Sequence, residues 1–289
     1  MMKTLFKNRK KIFKFIISYF LIVGLFQYLG DLASGIDLNN RSENQGNTMQ
    51  MFVITVFGLM GTLLTIWIFV RYVDKDKFIN LGFKKTNYQH LVLGVVTGLV
   101  IMVTGFYILL FMRQITFLKL QFNIMDVILS IGMCIAIAIS EEVIMRGYVL
   151  NKLMNHLNQW AALAISAVFF SLMHVFNPNM GILSIINLFL AGVLLGLPFV
   201  FTKNLWYSIA LHFSWNFFQG TLGFKVSGMN FYAIVIQGKL PDTIWNGATF
   251  GFDGSLLCTI FQLIAIPILY FIFRSFKKPS REQGMVFEG

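Results

Sequence analysis

The chain has 289 residues, of which 57% are hydrophobic and 16% aromatic while only 12% carry charge, against roughly one quarter charged in soluble domains. That composition excludes an ordinary water-soluble domain and makes lipid the solvent for most of the chain. The net charge of +11 would suit nucleic acid or the cytoplasmic loops of a membrane protein, and the placement of the basic residues beside apolar runs excludes the first.

In chain order, Lys3, Lys7, Arg9, Lys10, Lys11 and Lys14 lead into a first apolar run over 13–33. It is long and no clear small-residue cleavage site follows, so it reads as a retained helix and not as a signal peptide. The polar stretch with Asp31, Asp37, Arg41 and Glu43 suits an external loop. A second span over 51–72 is followed by Arg71, Lys75, Lys77, Lys84 and Lys85, in a connection expected to lie along the cytoplasmic interface. Further spans are predicted over 90–112, 124–146, 160–177, 181–201 and 205–222. A connection rich in glycine and aromatics, 223–254, is expected to re-enter the membrane in part or to cap its external face. The last span, 255–275, carries Arg274, with Lys277, Lys278 and Arg281 after it.

Apolar runs of about twenty residues demand helices, because lipid offers the backbone no hydrogen-bond partner, and they are too continuous for the alternating strands of a barrel. The expected fold class is all-α: a polytopic membrane protein, a bundle of about eight transmembrane helices with an intramembrane cavity. Three regions are expected, namely 1–123 with the first three spans, 124–222 with spans four to seven, and 223–289 with the external connection, last span and basic tail. Eight spans place both termini on one side, and the excess of lysine and arginine there predicts that side to be cytoplasmic. The two cysteines, Cys134 and Cys258, fall in or beside spans, where they behave as small apolar residues and imply no disulfide framework.

Acidic residues are scarce, yet Glu141 and Glu142 stand together in the run IGMCIAIAISEEVIMRGYVL. Ionisable groups inside a membrane are costly and by default suggest a functional site. Four residues separate Glu142 from Arg146, one helical turn, so the two are expected to pair. Glu141 points about 100° away and is left free. The plainer reading makes both glutamates markers of the cytoplasmic end of the fourth span, with Arg146 an interfacial anchor. Two histidines weigh against it. His174 closes AVFFSLMH one turn after Phe170, and His212 lies in SIALHFSWNFF one turn before Asn216, so that His212 and Asn216 project from one face and reach the same small group. His90 and His156 are expected at the interface. Gly192 and Gly196 form a small-x-x-x-small pair, read as ordinary helix packing.

Taken in order, Glu-Glu-x-x-x-Arg at 141–146, Phe-x-x-x-His at 170–174 and His-x-x-x-Asn at 212–216 resemble the CAAX-processing and bacteriocin-processing intramembrane proteases, the CPBP or Abi family, which includes the type II CAAX prenyl endopeptidases. The resemblance covers roughly 124–222. It implies that Glu141 is the general base, that His174 helps to bind the attacking water, and that His212 and Asn216 stabilise the oxyanion, with Glu142, Arg146 and Phe170 in support. The chemistry of the residues agrees, since the unpaired carboxylate takes the proton and neutral donors belong where negative charge develops. The implied substrate is a membrane-embedded or lipidated peptide or protein, cleaved within the bilayer of a multi-pass protein expected in a bacterial plasma membrane.

No cofactor is expected, because the helical His-Glu-x-x-His arrangement is absent and asparagine is a poor zinc ligand. Zinc held by Glu141, His174 and His212 is the alternative. Two further alternatives are a non-proteolytic scaffold or immunity protein of the same fold and a proton-coupled transporter. One geometric conflict arises: counted along straight helices, His174 lies about 20 Å deeper than Glu141. It is relieved if the fourth helix runs past Gly147 and the fifth is short, with Asn177, Pro178 and Asn179 in a buried re-entrant turn beside a wet cavity.

Overall fold

A computed structural model of the chain describes residues 2–38, 46–85, 88–238 and 240–276, residues 2–13 by their backbone alone. The side chains of Lys3, Lys7, Arg9, Lys10 and Lys11, and residues Arg41, Glu43, Lys277, Lys278 and Arg281, lie outside this description.

Among the described residues eight helical rods make up the molecule: α1 (Met2–Ser34), α2 (Thr48–Val73), α3 (Tyr88–Phe111), α4 (Ile124–Met154), α5 (Gln159–Met173), α6 (Ile182–Thr202), α7 (Trp206–Thr221) and α8 (Leu256–Arg274). Six of them, all but α5 and α7, are long and apolar enough to cross a membrane. The chain is thus an all-α polytopic membrane protein. Several helices begin on residues that satisfy their first free N–H groups. Asn47 accepts from Gln50 N while Gln50 bonds back to it, Asn123 accepts from Met125 and Asp126, and Asn158 from Trp160 and Ala161.

The fourth helix differs most from its predicted span. It does not end at Arg146: Ile124–Glu142 continues through wide π-helical turns, Val143–Leu150, into Asn151–Met154. The continuation is possible because Arg146 is buried, only 1% exposed, against its glutamate. A charged side chain with a buried partner does not have to mark a membrane boundary. The fifth helix stops at Met173 and not near residue 177. The following turn is not buried as expected. Asn177 is half-buried and donates to Ser227 O (2.9 Å), while Pro178 and Asn179 are exposed.

Close packing of the rods uses small residues. On α3, a Cβ on Gly94 would come within 2.7 Å of Tyr207 O, and one on Gly98 would overlap Ser214 of α7. Gly192 on α6 sits against Ala167 and Gly196 against Leu163 of α5, which is the packing role expected of that pair. Cys134 and Cys258 are buried in the apolar interior. His90 opens α3, its ring against Phe273 and Phe276 at the end of α8.

The connection 223–254 caps one end of the bundle. Within it β2 (Val235–Gly238) pairs antiparallel, with one irregularity, with β1 (Thr116–Leu120) from the α3–α4 connection. This small sheet was not apparent from the sequence. Asp253 anchors the cap. Its buried carboxylate accepts from Trp215 Nε1 (2.9 Å), Gln219 Nε2 (2.9 Å), and Ser227 N and Oγ (3.0 Å each), while Asn187 of α6 donates to the carbonyls of Asp253 and Ser255.

Candidate active site

Glutamates adjacent on a helix point in different directions, and here they meet different environments. Glu142 is wholly buried. Its Oε1 accepts from Arg146 Nη1 (2.8 Å) one turn later and lies 2.9 Å from His212 Nδ1 on α7. Arg146 also donates from Nη2 to Gly192 O on α6 (3.2 Å) and packs its guanidinium over the Phe170 ring of α5, 4.5 Å from the centroid. Arg146 therefore ties α4, α5 and α6 together, and the reading of it as an interfacial anchor does not hold. Phe170 in turn lies beside both histidines, 4.9 Å from the His174 ring and 6.2 Å from that of His212.

Glu141 faces the other way, into a cavity of about 360 Å³. His174, at the end of α5, places Nε2 3.6 Å from Glu141 Oε2, and His212 places Nε2 3.9 Å from the same oxygen. Asn216, one turn beyond His212, lines the same cavity. The predicted conflict of depth is thus absent. Glu141 lies 13 residues before the end of α4 at Met154, and His174 lies 15 residues after Gln159 at the start of α5, so both stand roughly 20 Å from the turn that joins the helices. All four residues predicted to take part in catalysis line one cavity, with Glu142, Arg146 and Phe170 packed around them.

The hydrogen bonds assign protons to the imidazoles. A carbonyl or carboxylate oxygen only accepts. His174 Nδ1, 2.8 Å from Phe170 O, therefore carries its proton, as does His212 Nδ1 against Glu142. Each ring turns Nε2 toward Glu141 Oε2, a buried oxygen with no hydrogen-bond partner of its own. Three acceptor-capable atoms converging on one space suit a donor of two protons, such as water.

Zinc ligands about 2.0–2.2 Å from the metal in a tetrahedron stand roughly 3.3–3.6 Å from one another. The 3.9 Å separation exceeds that span, and among the described residues no group of three His, Cys, Asp or Glu side chains is arranged to hold a metal ion. As placed, the three side chains do not fit a zinc ligand set.

Several residues of the cavity were not singled out from the sequence. Gln27 of α1 and Met51 and Thr55 of α2 line one wall, and Ser227 and Asp253 of the cap line it as well. Of these only Asp253 carries a signal, as one of the few acids, and its position in a glycine-rich loop hid it.

The fold and the cluster define a class, a multi-pass membrane protein with a carboxylate and two imidazoles gathered in an internal cavity. Residues 123–218, from the N-cap of α4 through most of α7, match the family model described as Type II CAAX prenyl endopeptidase Rce1-like. This match, over about a third of the chain, agrees with the CPBP or Abi intramembrane proteases that its three motifs resemble. No curated protein matches the chain.

Proposed function

We propose that the protein is an intramembrane endopeptidase that hydrolyses a peptide bond in a membrane-associated or lipidated polypeptide by a glutamate-dependent route. The observation that carries this reading is the division of labour between the two glutamates. Glu142 is engaged through Oε1 by Arg146 and His212, whereas Glu141 faces a cavity and turns its buried Oε2 toward two imidazole nitrogens.

In the reaction, water donates one proton toward Glu141 and the other toward His174 Nε2. Glu141 takes the first proton as the water oxygen bonds to the scissile carbonyl carbon, and returns it to the amine nitrogen as the C–N bond breaks. The developing oxyanion is met by Asn216 and His212. Asn216 donates as a neutral amide. His212 cannot do so as a neutral ring, because its single proton is already directed at Glu142; it donates from Nε2 only when doubly protonated. The set Glu141, Glu142, Arg146 and protonated His212 then sums to zero charge, the arrangement least costly to bury.

The test is cleavage by purified protein in lipid vesicles, comparing wild type with Glu141→Gln, with and without a chelator. Glu141→Gln is expected to lose activity by at least about 10²–10⁴-fold while keeping its fold, and the chelator is expected to have no effect. Normal turnover by Glu141→Gln would remove the proposed base, and stoichiometric zinc lost together with activity would replace the mechanism by a metal-dependent one.

A further inference from the structure

The two ends of the bundle differ. At the end bearing the α1–α2 connection, the β1–β2 sheet and the cap, the cavity is lined by Gln27, Thr55, Ile137, His174, Asn216 and Ser227. Each belongs to the cap or to the part of its helix nearest this end, Thr55 being seven residues from the start of α2 and Gln27 seven from the end of α1. At the other end, beneath the Glu142–Arg146 pair, Leu150, Leu163, Leu197, Phe199 and Leu205 are all buried. Gly82 accepts there from Leu205 N (3.1 Å), and Asn80 O from Asn151 Nδ2 (3.2 Å), sealing the connection after α2 onto α4 and α7. The cavity thus lies above a packed floor and toward the cap.

Charge is divided along the same axis. Arg71, Lys75, Lys77, Lys84, Lys85, Lys152, Lys203 and Arg274 lie at the floor end, where α1 begins and α8 ends, whereas the cap end has Arg113, Lys119 and Lys225 among the described residues, with Asp37, Asp126 and Asp242. Lysine and arginine in short connections set the orientation of a multi-pass protein, the richer side staying in the cytoplasm.

We propose that the catalytic cavity opens on the non-cytoplasmic side of the membrane. The substrate is then an exported, membrane-held polypeptide whose scissile bond is presented from that side. A polypeptide lipidated and retained in the cytoplasm would meet the packed floor. The orientation stands on packing and charge alone; the substrate class rests also on the protease reading above.

Two experiments separate these parts. Cys134 and Cys258 are buried, so Lys77→Cys and Asp242→Cys, both at exposed positions, each add one accessible thiol. With a membrane-impermeant maleimide, Asp242→Cys is expected to react in intact cells and Lys77→Cys only after permeabilisation; the reverse pattern overturns the orientation. Peptidomics of wild-type and Glu141→Gln cells, with medium and cytosol read separately, tests the substrate. Loss, in the variant, of a product cut on the non-cytoplasmic side supports the assignment. A Glu141-dependent product cut in the cytoplasm overturns it and leaves the protease reading intact. No Glu141-dependent product counts against the protease reading and against the substrate class, while the labelling result still decides the orientation.

Discussion

Glu141 and Glu142 differ in environment because their neighbours differ, and the neighbour that sets Glu142 apart is Arg146. A buried carboxylate deprived of its cation is expensive, so Arg146→Met should cost about 3–5 kcal/mol by removing the guanidinium from Glu142 and leaving it only His212. The double variant Glu142→Gln, Arg146→Met removes both charges and should recover much of the loss. Thermal unfolding in detergent would check the order, and a double variant no more stable than Arg146→Met would show that the pair is not what holds the three helices. These residues were legible from sequence because ionisable groups are rare in apolar runs and the four-residue spacing fixes a shared helix face. The charge state that His212 needs was not legible, since it depends on a contact between α4 and α7, 70 residues apart. Asp253 was illegible for a related reason: its partners come from α7 and from the turn at Ser227, and nothing local announces them.

Helices are the unit at which the sequence spoke most clearly. Each of the eight predicted spans overlaps one observed rod, because a length of about twenty apolar residues is itself the physical requirement for crossing lipid. Ends were misplaced where a charge was taken for a boundary, as at Arg146, or where apolar residues continued past the last helical turn, as at Val175 and Phe176. The tight crossing of α3 on α7 passed unnoticed, although Gly94 and Gly98 have the same spacing as Gly192 and Gly196. Gly98→Val is expected to destabilise the protein by about 1–3 kcal/mol or more, since its first side-chain carbon would overlap Ser214. Unfolding in detergent should show the loss, and a variant as stable as wild type would mean that α3 can shift away at little cost. The β1–β2 pairing could not be foreseen because its strands are short and lie more than a hundred residues apart.

At the scale of the molecule, the site belongs to one half of the bundle and the packed floor to the other. Composition alone could give the membrane and the basic ends; it could not say that α1 and α2 contribute a wall to the cavity, which depends on which rods become neighbours. The shortness of α5 carries a consequence for the surrounding lipid. Its 15 residues rise only about 22 Å, less than the roughly 30 Å of a typical hydrocarbon core, yet Ile165, Val168, Phe169 and Leu172 on it point outward. Acyl chains beside it must compress, or the rod must sit unevenly in the leaflet pair, and either adjustment strains the segment that carries His174. Turnover in reconstituted vesicles should therefore depend on phosphatidylcholine chain length, highest where the bilayer is thin and falling as it thickens, with rates indifferent to chain length as the contrary result.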